Sequence, residues 1–222
     1  GGGAGAFRPW VESLSDDCCV LPVHLPGREG RFLDRPYRRM AHVVKDLVAE
    51  IEPLLARGVV FWGHSMGAGI AVALTAELIR IGLAPPRHLL ATGAGSPDRR
   101  VARDLVHLLD DARLTERLLG YAGTPVEVLR DPDLLRLVLP VIRADFELSE
   151  TWVRTPAAPL PIGLTVLQGS EDTSVSQYQL DGWAAYSHRP VRTHVFSGGH
   201  FFIRDHVSAT AEIVRTIACE EK

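Results

Sequence analysis

Lysine is almost absent from this chain. Only Lys45 and Lys222 stand among 24 basic residues, so arginine carries nearly all the positive charge. Acidic residues number 27 and the formal net charge is −3, which gives no general reason to expect nucleic acid or an anionic membrane surface as a partner. Cysteine is scarce too. Cys18, Cys19 and Cys219 form an odd set with two adjacent members, a poor disulfide framework without metal-ligand spacing. The cytoplasm, where thiols stay reduced, is the simplest setting. No apolar run reaches the roughly 20 residues that a membrane helix needs. Internal repeats and low-complexity stretches are also missing. The remainder is globular in composition, and 222 residues suffice for one sizeable α/β domain with an insertion, by default a monomer. The opening GGGAGAFRPW has no Met and no apolar leader, and reads as the middle of a loop with further residues expected before it.

Along the chain, apolar runs and helical periodicity alternate. Residues 18–27, CCVLPVHLPG, read as a buried strand ended by a Pro-Gly breaker. Residues 40–55 carry apolar positions at helical spacing with Lys45, Asp46, Glu50 and Glu52 largely opposite, and Gly58 stops them. VVFW (59–62) is a second buried strand, 66–81 a small-residue helix, and HLLATGAG (88–95) a third strand with its loop. Strand-helix-strand alternation predicts a mostly parallel sheet with crossover helices. Residues 96–156 break that rhythm with helix patterning only, and read as an inserted helical lid between core segments 1–95 and 157–222. TPAAPLPIG (155–163) serves as the stiff return linker. Strands at 164–169 and 191–196 and helices at 176–186 and 207–218 complete the core.

The chemistry gathers at FWGHSMGAGI (61–70). A Gly-x-Ser-x-Gly run between a strand and a helix places the serine on a sharp turn, and small residues two positions either side let strand and helix approach. Ser65 is therefore the candidate nucleophile, with the alternative of a serine in a merely tight bend. The N–H of Met66, at the start of the following helix, is a candidate oxyanion donor. A serine hydroxyl needs a base, and His200 in FSGGHFF follows the last predicted strand. His64 adjoins Ser65 but is assigned to packing or the pocket wall, and His194 and His206 to structural or exposed positions. An acid must hold the imidazole. Asp172 in QGSEDTSVS follows the preceding strand at the carboxyl edge of the sheet, with Glu171 as its neighbouring competitor. The order Ser65, Asp172, His200 is that of the α/β-hydrolases.

Taken together, GGGAGAFRPW, LPGREGRF, FWGHSMGAG, GTPVEVLRDPDLLRLVLPVIRADFEL and SGGHFFIRDH resemble the type II editing thioesterases of polyketide synthase and nonribosomal peptide synthetase pathways. The resemblance implies an α/β-hydrolase with a mobile helical lid that hydrolyses acyl thioesters on the phosphopantetheine arm of acyl or peptidyl carrier proteins. It implies no metal and no cofactor beyond the arm on the substrate. Ser65 would be nucleophile, His200 base and then acid, and Asp172 the orienting group. Met66 would give one oxyanion donor and a residue preceding Gly1 the other. Arg28 and Phe146 become candidates for the substrate or lid surface. Arg28, Arg31, Arg35, Arg38 and Arg39 become candidate contacts for an acidic carrier helix, against the alternative of a solvated arginine-rich loop. Leu118, Leu119, Leu137 and Phe146 either wall an acyl chamber or form helix-helix core. RADF (143–146) reads as lid packing with an ion pair. A carboxylesterase or lipase, an acyltransferase, and a binding protein that keeps the fold without turnover remain as alternatives.

Overall fold

The computed structural model describes residues 2–99, 105–121, 123–153 and 158–220. Four strands form its sheet: β1 (Val60–His64), β2 (His88–Thr92), β3 (Gly163–Gly169) and β4 (Arg192–Phe196). All three pairings are parallel, and the strands lie side by side in chain order. Each parallel step needs a crossover. α3 (Met66–Arg80) makes the first, and α7 (Gln177–Asp181) with a 3-10 turn makes the third. Between β2 and β3 lie α4 (Asp111–Tyr121), α5 (Val126–Arg130) and α6 (Pro132–Glu150) with short 3-10 turns and, among the described residues, no strand. The chain's other helices are α1 (Arg8–Ser13), α2 (Met40–Ile51) and α8 (Val207–Glu220).

β1 to β3 are largely apolar on both faces, as the covered part of a parallel sheet requires, whereas β4 is an exposed edge strand. Their alternate residues sort into two cores. Phe61, Leu89, Ala91, Leu164 and Val166 pack with Ala68, Ala71 and Val72 of α3. The opposite face presents Val60, Trp62, Leu90 and Leu167 to Trp10 of α1 and to Ala211 and Ile217 of α8. α3 is buried almost all round, which explains its run of alanines and aliphatics with few charges. A smaller core of Val106, Leu114, Leu118, Leu129 and Leu139 holds α4, α5 and α6 together. α6 starts sharply because the Asp131 side chain accepts the N–H groups of Asp133 and Leu134, with Pro132 at its first position.

The helical reading of 40–55 ends earlier than its periodicity suggests. α2 stops at Ile51, and Glu52–Arg57 tighten into a 3-10 turn around Pro53, closed by Gly58 at φ +74°. The strand expected in residues 18–27 is a correction. This stretch is not in the sheet, and Leu21 and Val23 are exposed. Its alternate members Cys18 and Val20 touch one core, and Leu25 touches another. An apolar run reads as a strand from composition, but pairing needs a neighbour's hydrogen bonds, and no described strand supplies them here. The linker expected at 155–163 lies partly outside the described residues. Its end is held by Leu160, whose N–H donates to the carbonyl of Tyr186. No helix among the described residues is long and apolar enough to cross a membrane.

Candidate active site

Ser65 sits between the end of β1 and the first residue of α3 with φ +55° and ψ −117°. A non-glycine residue in that region is strained and persists only where its surroundings hold it. The Ser65 N–H donates to the carbonyl of Thr92 on β2, and the Ser65 carbonyl accepts from Ala68. Gly63 shows why the turn can close. A Cβ there would stand 2.2 Å from the carbonyl oxygen of Gly67 and 2.4 Å from the nitrogen of Ala68. Met66 is the first helical residue, so its N–H has no acceptor within the helix and is available beside Ser65. The second donor implied by the resemblance would stand before Gly1, outside the described residues.

His200 and Asp172 meet Ser65 from the ends of the other strands. His200 Nε2 lies 2.9 Å from Ser65 Oγ, and its Nδ1 lies 2.8 Å from Asp172 Oδ2. That geometry fixes the tautomer: Nδ1–H donates to the carboxylate, leaving Nε2 to accept the serine proton. The two loops are stitched together as well. Ser170 N–H donates to the Phe196 carbonyl and Glu171 N–H to that of Gly198, which adopts φ +113°. Glu171 is exposed and Asp172 is buried, so the structure places Asp172 and not its neighbour against the imidazole. Burial alone would raise the Asp172 carboxyl. Hydrogen bonds from His200 and Ser174, with the charge of His200, outweigh it and hold the group down at about 2.

Ser174 is the member that sequence reasoning missed. Its Oγ–H donates to Asp172 Oδ1 at 2.5 Å, its backbone N–H donates to the same oxygen at 2.9 Å, and its Oγ lies 3.2 Å from His200 Nδ1. The signal was present as D-T-S, an Asp whose carboxylate caps a backbone N–H two residues on.

His64 is packing, as expected. Its ring meets those of His200 at 5.1 Å and Phe201 at 5.5 Å, and its Nδ1 pairs with Thr92 Oγ1 at 3.0 Å. Its Nε2 is buried without a partner. Burial, with His200 alongside, pushes this imidazole down to about 3, so it stays neutral. His194 is exposed on β4, while His206 Nε2 lies 2.9 Å from the Ser197 carbonyl.

Beyond His200, Tyr121 of α4 lies 5.8 Å from the imidazole, and Phe146 of α6 lies 6.1 Å beyond Tyr121. A cavity of about 560 Å³ opens here, lined by Arg117, Tyr121, Asp172, Ser174, His200 and Arg204 among others. Phe146 thus stands one ring away from the base. Leu118 is buried among helices, whereas Leu119 and Leu137 are exposed. The arginine-rich loop is largely occupied by its own chain. Arg28 pairs with Asp145, Arg31 with Asp34, and Arg38 and Arg39 both with Glu147. RADF holds the anticipated ion pair twice over, since Arg143 also reaches Asp111 at 2.6 Å.

A serine raised on a strand-helix elbow, with a histidine and a carboxylate delivered from neighbouring strand ends, defines a serine hydrolase of the α/β class. The family is narrower. Residues 1–218 match the model described as the thioesterase domain, so the chain belongs to that family and is a thioester hydrolase. It is 32% identical over 203 residues to the gramicidin S biosynthesis protein GrsT of Aneurinibacillus migulanus, covering 91% of this chain and 79% of that one. Among solved structures, RedJ, the thioesterase from the prodiginine pathway in Streptomyces coelicolor, superposes with a TM-score of 0.88 at 29% identity, covering 97% of this chain and 81% of its own. The type II thioesterase BorB from the borrelidin cluster gives 0.83 at 29% identity, covering 98% and 88%.

Proposed function

We propose that this chain removes acyl groups from the phosphopantetheine arm of acyl or peptidyl carrier proteins, with Ser65, His200 and Asp172 as the catalytic residues. The observation that carries the proposal is the hydrogen-bonded line from Ser65 Oγ through His200 to buried Asp172 at the sheet's carboxyl edge. The named relatives belong to gramicidin S, borrelidin and prodiginine biosynthesis, which supports carrier-bound thioesters as the substrate class.

In the first half-reaction, Ser65 Oγ attacks the thioester carbonyl and passes its proton to His200 Nε2. The Met66 N–H faces the developing oxyanion. Collapse breaks the carbon–sulfur bond, and the pantetheine thiolate leaves with the proton from His200. In the second, water gives a proton to His200 and attacks the acyl-serine. Ser65 leaves with that proton, and the carboxylic acid is released. Asp172 holds the imidazole tautomer throughout and stabilises its cation. The two steps draw on protein groups and water alone, with no metal and no cofactor beyond the arm that the substrate brings. The helices between β2 and β3 serve as a lid over the acyl group, with Phe146 and Tyr121 on its inner side. Arg28 works as a tie to that lid. A cytoplasmic monomer that meets its carriers transiently fits this task.

The test compares hydrolysis of an acyl-carrier protein, an acyl-pantetheine thioester and p-nitrophenyl esters by the same preparation. Faster turnover of the thioesters is expected, with free acid as product and loss of turnover in Ser65→Ala. Preference for the simple esters would make the chain a carboxylesterase, and acyl transfer to an added alcohol or amine in preference to water would make it an acyltransferase.

A further inference from the structure

Arg28 and Glu29 are adjacent and take different main partners, although Arg28 Nη1 also donates to the Gly2 carbonyl at 3.4 Å and so touches the same turn as Glu29. The Arg28 guanidinium makes a bidentate pair with Asp145 on α6, Nη1 to Oδ2 at 2.9 Å and Nη2 to Oδ1 at 2.7 Å. These side chains are only 11% and 8% exposed. The Glu29 carboxylate points into the glycine turn at the start of the chain. There it accepts the Ala4 N–H on Oε2 and the Gly5 N–H on Oε1, both at 2.9 Å. It fills the hollow of that turn: a Cβ on Gly3 would stand 2.2 Å from Glu29 Oε1. Glu29 itself adopts φ +49°, a left-handed conformation that costs a residue with a Cβ and needs anchors to persist. The turn runs on into Phe7, whose ring meets Trp62 edge-on at 5.5 Å. Trp62 lies on β1, three residues before Ser65.

We propose that Arg28 and Glu29 form a two-way clasp, in which seating of α6 through Asp145 fixes Glu29 and Glu29 in turn fixes the glycine turn beside the nucleophile strand. Glu29 is then a positioning residue for the chemistry at Ser65. The proposal rests on the reading of Ser65 as nucleophile. A fork of two parallel N–H···O bonds sets both distance and plane, so Arg28 cannot drift while α6 is seated. If α6 lifts, a nearly buried guanidinium loses its carboxylate, and the strained dipeptide beside it is free to relax. The carboxylate then leaves the Ala4 and Gly5 N–H groups, and the turn loosens. Glu147, which bonds Arg38 and Arg39 from the same stretch of α6, adds to the seating from a second loop. Packing around Ser65 is thereby made conditional on where α6 sits, and preorganised surroundings are what lower the barrier at a reacting centre.

The experiment follows the rate at which a fluorophosphonate labels Ser65, alongside kcat and KM for an acyl-pantetheine thioester. The proteins are the parent, Glu29→Gln, Asp145→Asn and the double variant. Each single change is expected to slow labelling and kcat by roughly tenfold while KM moves little, and the double variant to be about as slow as either single one, because both break one chain of contacts. Multiplying effects, or labelling of Glu29→Gln at the parental rate, would overturn the clasp. A second pair reaches the same contact from the turn. Gly3→Ala is expected to slow labelling in the parent, where the carboxylate blocks its Cβ, and to cost nothing further once Glu29→Ala has emptied the hollow; equal costs in both backgrounds would also overturn it. Labelling requires only the nucleophile and its base. A parent that labels but spares thioesters sinks the thioesterase reading and leaves the clasp measurable, whereas a parent that does not label sinks both.

Discussion

Ser174 touches both partners of the acid–base pair, and its loss should be felt in rate more than in binding. Ser174→Ala removes the Oγ–H bond to Asp172 and keeps the backbone N–H bond to the same oxygen. A hydrogen bond to a charged group is worth roughly 1.5–3 kcal/mol, so kcat is expected to fall by about one to two orders of magnitude with KM nearly unchanged. Steady-state kinetics on one thioester reads this directly; an unchanged kcat would show that the backbone N–H alone suffices to hold the carboxylate. Ser65, Asp172 and His200 were legible in the sequence because each stands just after an apolar run, in an order set by the fold. Ser174 left only a faint signal: D-T-S is the spacing of an Asp that caps a backbone N–H two residues on, but polar loops carry the same spacing without a site. Arg28 with Asp145 was hidden differently: 117 positions separate them, and no local pattern reports so distant a pair.

The elbow makes a sharper claim about elements, since its two glycines do different jobs. At Gly63 an added methyl would collide with the backbone of Gly67 and Ala68, which cannot move without separating β1 from α3. At Gly67 no atom lies within 4 Å of the added carbon, and the backbone is helical. Gly63→Ala is therefore expected to destabilise by at least the 1–3 kcal/mol typical of overpacking, and to abolish fluorophosphonate labelling. Gly67→Ala should instead stabilise by up to about 1 kcal/mol through helix propensity alone. Urea unfolding of the two variants separates them, and equal losses would contradict the backbone collision. From the sequence the two glycines looked equivalent, because the motif is symmetric about Ser65 while the strand-helix junction is not. Element type was otherwise legible wherever apolar periodicity had a partner to pack on, as in α3, β2 and β3. It failed at residues 18–27, where the run was apolar but no described strand pairs with its backbone. It blurred at Pro53, where a missing N–H ended α2 inside a continuing helical pattern.

For the molecule as a whole, the neutral histidine behind the nucleophile ties stability to acid. His64 has its folded value depressed to about 3 from 6.5, so between those limits the unfolded chain carries a proton that the folded chain refuses. Stability must then rise with pH across that window, by up to about 1.4 kcal/mol per pH unit from this one group. It is fully present above pH 6.5 and declines steadily as the pH falls toward 3. Asp172 acts in the next window down: depressed from 3.8 to about 2, it stabilises above 3.8 and loses that contribution as the pH falls through 2. Burial is the largest cause of the His64 depression; His200 and Arg204 add to it, and Asp172 opposes it. Urea unfolding free energies should accordingly be flat between pH 7 and 8 and fall from pH 6.5 to 4. His64→Asn can still pair with Thr92 but has no proton to gain. It is expected to lose some stability at neutral pH through poorer packing against His200 and Phe201, and to flatten the slope below pH 6.5. A slope that survives the substitution would move the acid sensitivity to another group and would contradict the neutral, buried state assigned to this ring.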